Sequence, residues 1–346
     1  MGVTRLVVRP PNWLGDAVMA LPALAAVRRH FADAHLTMAA SPVVAALLRE
    51  QTHAAPDAVI DLPRRTPDAV RVLREGSFNA GLLLPNSWRS AWQFYRAQIA
   101  ERWGYRASLR GMLLTRGIGR PPAREVRHQA DYYRHLVSAL GIPGSEAIAP
   151  WIAPRPSSRA EGDRLLAAAG VPGDAELVGL APGAAYGQAK QWPPDRMAAV
   201  AARLVTDRDA WCVLVGAGHD RDAGRAIESW LRTHAPAAAA RVVNLIGRTS
   251  VGALVAVFDR TAAVVANDSG GMHLAAAVGR PVVAIFGPTD ERATRPIGDH
   301  HVLTASAFCR PCMLRDCPID HRCMKRIGID DVLAAVNAAL AGKAAL

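Results

Sequence analysis

Residues 262–290 read AAVVANDSGGMHLAAAVGRPVVAIFGPTD, and their order decides the fold class. The apolar run Ala262–Ala266 has the length and composition of a buried strand. Asn267, Asp268, Ser269, Gly270 and Gly271 make a tight polar turn. Met272–Val278 follows as a short helix, closed by Gly279 and Pro281, and Val282–Phe286 is a second buried strand that ends in Gly287-Pro288-Thr289. The unit is strand, turn, helix, strand. Its helix starts among small residues with unpaired backbone N–H groups, and those groups and the helix dipole both favour an anion. On spacing alone, a plain crossover helix capped by Ser269 or Asp268 fits the same pattern.

The alternation continues upstream. In the second half, Leu177–Leu180, Trp211–Val215 and Val242–Leu245 read as strands, with helices near 194–206, 220–233 and 250–258, and a final helix is expected over Ile329–Ala341. In the first half, Leu6–Arg9, Leu36–Ala40, Ala58–Leu62 and Ala80–Leu84 read as strands. Helices are expected over Asp16–Phe31, Val43–Arg49 and Pro67–Glu75, and near 88–100 and 127–140. Repeated strand–helix units imply an α/β fold with parallel sheets covered on both faces. Four prolines between 142 and 160 interrupt the pattern, so the boundary is placed there, giving domains 1–155 and 156–346. Two doubly wound domains of this kind predict a ligand cleft between them, at the carboxyl ends of the strands.

The 346 residues carry a formal net charge of +11, unevenly placed. Residues 1–150 hold 19 arginines against 11 acidic residues, whereas the remainder holds 22 basic against 19 acidic. Nine arginines fall within 85–127, facing only Glu101 and Glu125. Such a stretch suits a phosphorylated substrate or an anionic membrane surface. Nucleic acid is disfavoured, since no zinc-finger, RRM or KH signature is present. No apolar run approaches a membrane span, and the start MGVTRLVVRPPNW lacks a signal peptide's apolar region, so a cytoplasmic protein is expected.

Candidate site residues cluster at strand ends. Asn12-Trp13-Leu14-Gly15-Asp16 follows the first strand, and Asp16 reads either as a first-turn helix acid or as a general base. The loop Pro182–Trp192 contains Gly183, Gly187 and Lys190, one of only three lysines in the chain and a point charge suited to a diphosphate. Gly216-Ala217-Gly218 follows a strand, but Arg221 stands where a dinucleotide fingerprint needs glycine, which disfavours a nicotinamide enzyme. Asp207-Arg208-Asp209 and Asp220-Arg221-Asp222 match a loose metal-binding pattern but read better as surface acids, with Asp220 a possible partner for ribose hydroxyls. Cys309, Cys312, Cys317 and Cys323 form a group of four thiols that is either reduced or a structural zinc clasp.

NWLGDAVMALPAL at 12–24, PGAAYGQAKQWP at 182–193, NDSGGMHLAAAVGRPVVAIFGPT at 267–289 and CRPCMLRDCPIDHRCM at 309–324 together resemble the ADP-heptose:lipopolysaccharide heptosyltransferases, nearest the type II enzymes. The resemblance implies a GT-B fold: two Rossmann-like domains facing across a cleft, acceptor mostly on the first and ADP-heptose on the second. It implies inverting transfer of L-glycero-D-manno-heptose to the lipopolysaccharide inner core, a heptosyl-Kdo2-lipid A acceptor held at the inner face of the inner membrane. Carried over by motif, Asp16 is the catalytic base and Lys190 binds the donor phosphates. Gly183, Asp220, Thr249, Asp268, Ser269, Gly270 and His273 surround the donor. Asn12 and Trp13 face the acceptor, and the basic stretch adds Arg102, Arg106 and Arg110. No cofactor is required. A related transferase using another nucleotide sugar, or a non-catalytic sugar-nucleotide-binding protein, would share the same motifs.

Overall fold

The structure, a computed structural model, describes residues 2–122, 128–144 and 148–343; Arg124, Glu125 and Arg127 of the basic stretch lie outside the described residues. The chain divides into two compact units, Met1–Trp151 and Ile152–Leu346.

The first unit is built on six strands: β1 (Arg5–Arg9), β2 (His35–Ala40), β3 (Ala58–Asp61), β4 (Ala80–Leu83), β5 (Glu101–Tyr105) and β6 (Arg116–Ile118). All pair in parallel, in the order β3-β2-β1-β4-β5-β6. The second unit repeats this plan with β7 (Leu177–Ala181), β8 (Trp211–Leu214), β9 (Val242–Asn244), β10 (Ala263–Asn267), β11 (Val282–Phe286) and β12 (His300–Thr304). Its order, β9-β8-β7-β10-β11-β12, is the same, and every pair is parallel. Each unit is therefore a doubly wound α/β sheet, as the alternation predicts. Strands β7, β10 and β11 are buried along their whole length, the state of a parallel strand covered on both faces.

Three strands of the two six-stranded sheets and one long helix depart from the sequence reading. β5, β6 and β12 lie on the outer side of their sheets and carry charged or imidazole side chains, so no apolar run marks them. The helix Pro156–Ala168 begins inside the proline-rich stretch where the boundary is placed, with Pro156 in its first turn, where the missing N–H costs nothing. That helix packs so closely on the helix Val251–Arg260 that a Cβ on Gly162 would stand 2.6 Å from the Ala256 Cβ. The final helix runs Ile329–Lys343.

Candidate functional site

A doubly wound sheet opens a crevice where its strand order reverses. In the second unit that point lies between β7 and β10. The fully buried Asn267, at the end of β10, joins its two lips. Its Nδ2 donates to the Pro182 carbonyl at 2.6 Å, and its Oδ1 accepts from the Trp192 N–H at 3.1 Å. The next residue, Asp268, is 5% exposed and accepts from Lys190 Nζ at 2.6 Å and from Thr289 Oγ1 at 2.7 Å, both on Oδ2. Thr294 Oγ1 stands 3.5 Å from Oδ1. Lys190 is itself only 12% exposed, so the pair is a nearly dry ion pair. Ser269 heads the helix Gly270–Ala277 yet makes no capping hydrogen bond, and the Asp268 carboxylate is turned toward Lys190. The capped-crossover alternative lacks its expected bond. His273 is buried within this helix.

Gly183 follows β7, and its missing side chain makes room for Asp220: a Cβ there would lie 2.1 Å from the Asp220 Cγ. A Cβ on Gly216 would meet Asp220 Oδ2 at 2.8 Å. The buried carboxylate accepts from the Ala217 N–H on Oδ2 at 2.9 Å. Its Oδ1 is buried without a hydrogen-bond partner, His219 Nε2 standing off at 3.5 Å. A lone acceptor of this kind suits a ligand hydroxyl. Thr249 is half-buried in the loop after Gly247. Of the other acids of the two metal-like patterns, Asp207 and Asp222 pair with Arg203 and Arg225 of their own helices, and Asp209 pairs with Arg241.

The cysteine segment braces the Lys190 loop. The Ala189 N–H donates to the Arg315 carbonyl at 2.8 Å, His321 Nε2 lies 2.6 Å from the Ala189 carbonyl, and Tyr186 Oη donates to Met313 at 2.9 Å. Lys190 Nζ and the Arg315 guanidinium both lie near the Tyr186 ring, 4.8 and 5.2 Å from its centroid. On the other side, Arg310 donates to the Gly287 carbonyl at 2.8 Å and pairs with Glu291 at 2.5 Å. Cys309, Cys312, Cys317 and Cys323 are free thiols, and among the described residues no three His, Cys, Asp or Glu side chains converge as metal ligands. Burial, and after it the three neighbouring thiols, pushes the Cys323 thiol up.

In the first unit the strand order reverses between β1 and β4, where Arg9 is in register with Leu83. Trp13, 60% exposed, occupies the N-cap of the helix Leu14–His30, and half-buried Asp16 sits in its first turn. Burial, and after it the Asp16 charge, pushes the Tyr133 hydroxyl up, so the phenol stays neutral beside the carboxylate. Arg9 Nη2 donates to Asn12 Oδ1 at 3.1 Å, while its Nε and Nη1 are buried without partners. Burial first, and Arg89 second, lower its pKa to about 10. No pattern in the sequence singles out Arg9; its two unpartnered guanidinium nitrogens are visible only in three dimensions. Thr289 and Asn267 were within reach of sequence reading, since both lie in the stretch that decides the fold.

Two of the arginines expected to meet an acceptor do something else. Arg110 is fully buried: its Nε donates to the Tyr105 carbonyl at 2.9 Å, and its Nη1 donates to the Pro85 carbonyl and lies 3.3 Å from Ser90 Oγ. Burial holds its pKa down to about 10. Arg102 donates to the carbonyls of Leu113 at 2.7 Å and Ile99 at 2.5 Å. Both guanidinium groups brace the loops around β5, Arg110 from a fully buried position and Arg102 from a half-buried one. Arg106 is exposed.

The family profile described as Glycosyltransferase family 9 (heptosyltransferase) matches residues 68–322. The chain is 32% identical over 239 residues to lipooligosaccharide heptosyltransferase 2 of Haemophilus influenzae, an alignment covering 66% of this chain and 65% of that protein, just under two thirds of its length. It is 29% identical over 308 residues to lipopolysaccharide heptosyltransferase 2 of Escherichia coli K12, covering 85% of each. The solved structure of E. coli ADP-heptose lipopolysaccharide heptosyltransferase II superposes with a TM-score of 0.84 at 24% identity, over 98% of this chain and 99% of that one.

Proposed function

The chain belongs to glycosyltransferase family 9, and we propose that it is an inverting heptosyltransferase of lipopolysaccharide core assembly. In this reading it moves L-glycero-D-manno-heptose from ADP-heptose to heptosyl-Kdo2-lipid A. The observation that carries the donor half is the Lys190–Asp268 pair at the strand-order reversal of the second sheet, next to a helix start without a capping bond. A diphosphate placed there meets the first-turn amides of Gly270 and Gly271 and an ammonium with two further donors. Asp268 holds Lys190 in place and leaves an oxygen for a sugar hydroxyl. Asp220 Oδ1, buried and unpartnered, accepts from the ribose, and Thr249 lies toward the base.

Inversion requires attack by an acceptor hydroxyl on the face of the anomeric carbon opposite the departing diphosphate. Asp16 takes the proton from that hydroxyl as its oxygen bonds to the anomeric carbon, and the carbon–oxygen bond to the ADP phosphate breaks with its electron pair leaving on the phosphate. Lys190 and the helix amides stabilise the charge that develops on ADP, so the reaction needs no cofactor. Asn12, Trp13 and Arg106 bear on the acceptor. No helix among the described residues is long and apolar enough to cross a membrane, and the reading places the protein peripherally at the cytoplasmic face of the inner membrane. The test is a transfer assay with ADP-heptose against lipid acceptors bearing no, one or two heptoses. Turnover confined to the singly heptosylated acceptor supports the proposal. Inertness of ADP-heptose with all three, alongside transfer from another nucleotide sugar, overturns it.

A further inference from the structure

The loop between β5 and β6 has two features that the donor and acceptor residues do not require. Leu109 is 90% exposed and Met112 is 85% exposed, extreme values for large apolar side chains. Ser108 and Leu109 also both adopt left-handed backbone, at φ 50° and 58°. Neither residue type takes that conformation readily, and each such residue costs on the order of 1 kcal/mol unless its surroundings impose it. The surroundings here are Arg110. Its buried guanidinium ties the loop to the carbonyls of Tyr105, Pro85 and Ser87, fixing the base and turning the two apolar tips outward. The two apolar tips are thereby held open to solvent at an energetic cost.

Its neighbours are cationic and aromatic. The exposed Arg106 lies across the base, its Cγ 3.8 Å from where a Gly111 Cβ would stand and 2.8 Å from one on Gly117. Arg116, next to Gly117, is exposed too. The adjoining helix Trp88–Arg96 presents half-exposed Trp88 and Tyr95, which form a ladder through Trp92 with ring centroids 5.0 and 5.6 Å apart. The Arg96 and Arg102 guanidinium groups lie over that ladder, 5.5 Å from the Trp92 centroid and 5.6 Å from that of Tyr95. Apolar tips, amphipathic rings on the adjoining helix and arginines beside both make the composition of a surface that seats in a bilayer interface and attracts anionic headgroups.

We propose that the Leu109–Met112 knuckle inserts into the headgroup region of an anionic bilayer and, with Arg106 and Arg116, docks the first unit there. The proposal rests on the reading of a lipid-borne acceptor, and its test separates the two. Full-length protein is sedimented with vesicles of phosphatidylcholine alone and of phosphatidylcholine mixed with phosphatidylglycerol. The wild type binds the mixed vesicles and not the neutral ones. The double variant Leu109→Ser, Met112→Ser binds at least about tenfold more weakly, the scale of two apolar side chains losing their burial. Arg116→Glu weakens binding too, most at low salt. With a delipidated acceptor, the double variant turns over as the wild type does, because neither tip touches the reacting groups. Wild-type protein that ignores mixed vesicles, or a double variant that binds them as the wild type does, overturns the proposal. Vesicle binding that depends on the knuckle while ADP-heptose transfer is absent refutes the functional reading and leaves the docking surface standing.

Discussion

Separating Lys190 from Asp268 tests the proposed donor site at its centre. At 2.6 Å and an effective dielectric near 20, the two charges attract by roughly 6 kcal/mol, most of it offset by the desolvation of both groups. The net worth of the pair is therefore small, but removing one partner strands the other in a site with little water. Lys190→Met leaves the Asp268 carboxylate with threonine hydroxyls alone, and Asp268→Asn leaves a nearly buried ammonium without its counter-charge. Each single change is expected to destabilise the fold by about 3–5 kcal/mol. For a unit of this size that lowers Tm by about 6–20 °C. The double variant, which strands no charge, should recover about 2–3 kcal/mol relative to the sum of the singles. Function should not recover with it. In the proposed function Lys190 supplies a charged hydrogen bond to the leaving group, worth about 1.5–3 kcal/mol, so ADP should bind roughly 10- to 100-fold more weakly to both Lys190→Met and the double variant. Calorimetric unfolding and ADP titration of the four proteins complete the cycle. Destabilisation that is additive within about 0.5 kcal/mol would show that the carboxylate and ammonium are not coupled. A double variant that binds ADP as the wild type does would remove Lys190 from the donor site.

Other consequences follow from single residues. Asp16→Asn should lower kcat by about 10²–10⁴-fold while leaving ADP affinity unchanged, and a kcat near wild type would return Asp16 to a helix-start role. Gly183→Ala forces its Cβ onto the Asp220 carboxyl; it should weaken ADP binding yet spare pyrophosphate binding, and equal loss of both would detach Asp220 from the ribose. Asp57 is held below its ordinary pKa by the Leu36 N–H first and by Arg28 after it. Its contribution to stability is therefore present above about pH 4 and lost as the pH falls through the depressed value, so Asp57→Asn should lower Tm at pH 7, and the difference from the wild type should shrink as the pH falls through the acid range. Cys212 is fully buried with its thiol pushed up to about 12, so a thiol reagent at neutral pH should modify exposed Cys317 first and reach Cys212 only on unfolding, as peptide mapping would report.

The sequence is most readable where burial is complete. β7, β10 and β11 are apolar from end to end because a parallel strand covered on both faces admits nothing else, and the turns that follow them carry Gly183, Asp268 and Ser269 at the strand ends. β5 and β6 escape notice for the converse reason. Their outward side chains include Glu101, Arg102 and Arg116, and what holds the β5 end in place is partly a guanidinium on carbonyl oxygens rather than an apolar face. The same fact explains why arginines of one stretch part ways. In sequence Arg102, Arg106 and Arg110 are equivalent charges spaced four apart, and all three suit an anionic ligand. The chain's path ties two of them to the protein's own carbonyls: Arg110 is buried over Gly104, where a Cβ would approach its Nη2 to 3.1 Å, and half-buried Arg102 closes on the carbonyls of the loops flanking β5. Arg106 alone faces solvent. A dense run of arginine therefore measures two quantities at once, the charge a surface offers and the number of carbonyls an irregular loop must satisfy, and only the folded path divides one from the other. Here that division turns a presumed contact residue, Arg110, into the anchor that holds Leu109 and Met112 outward.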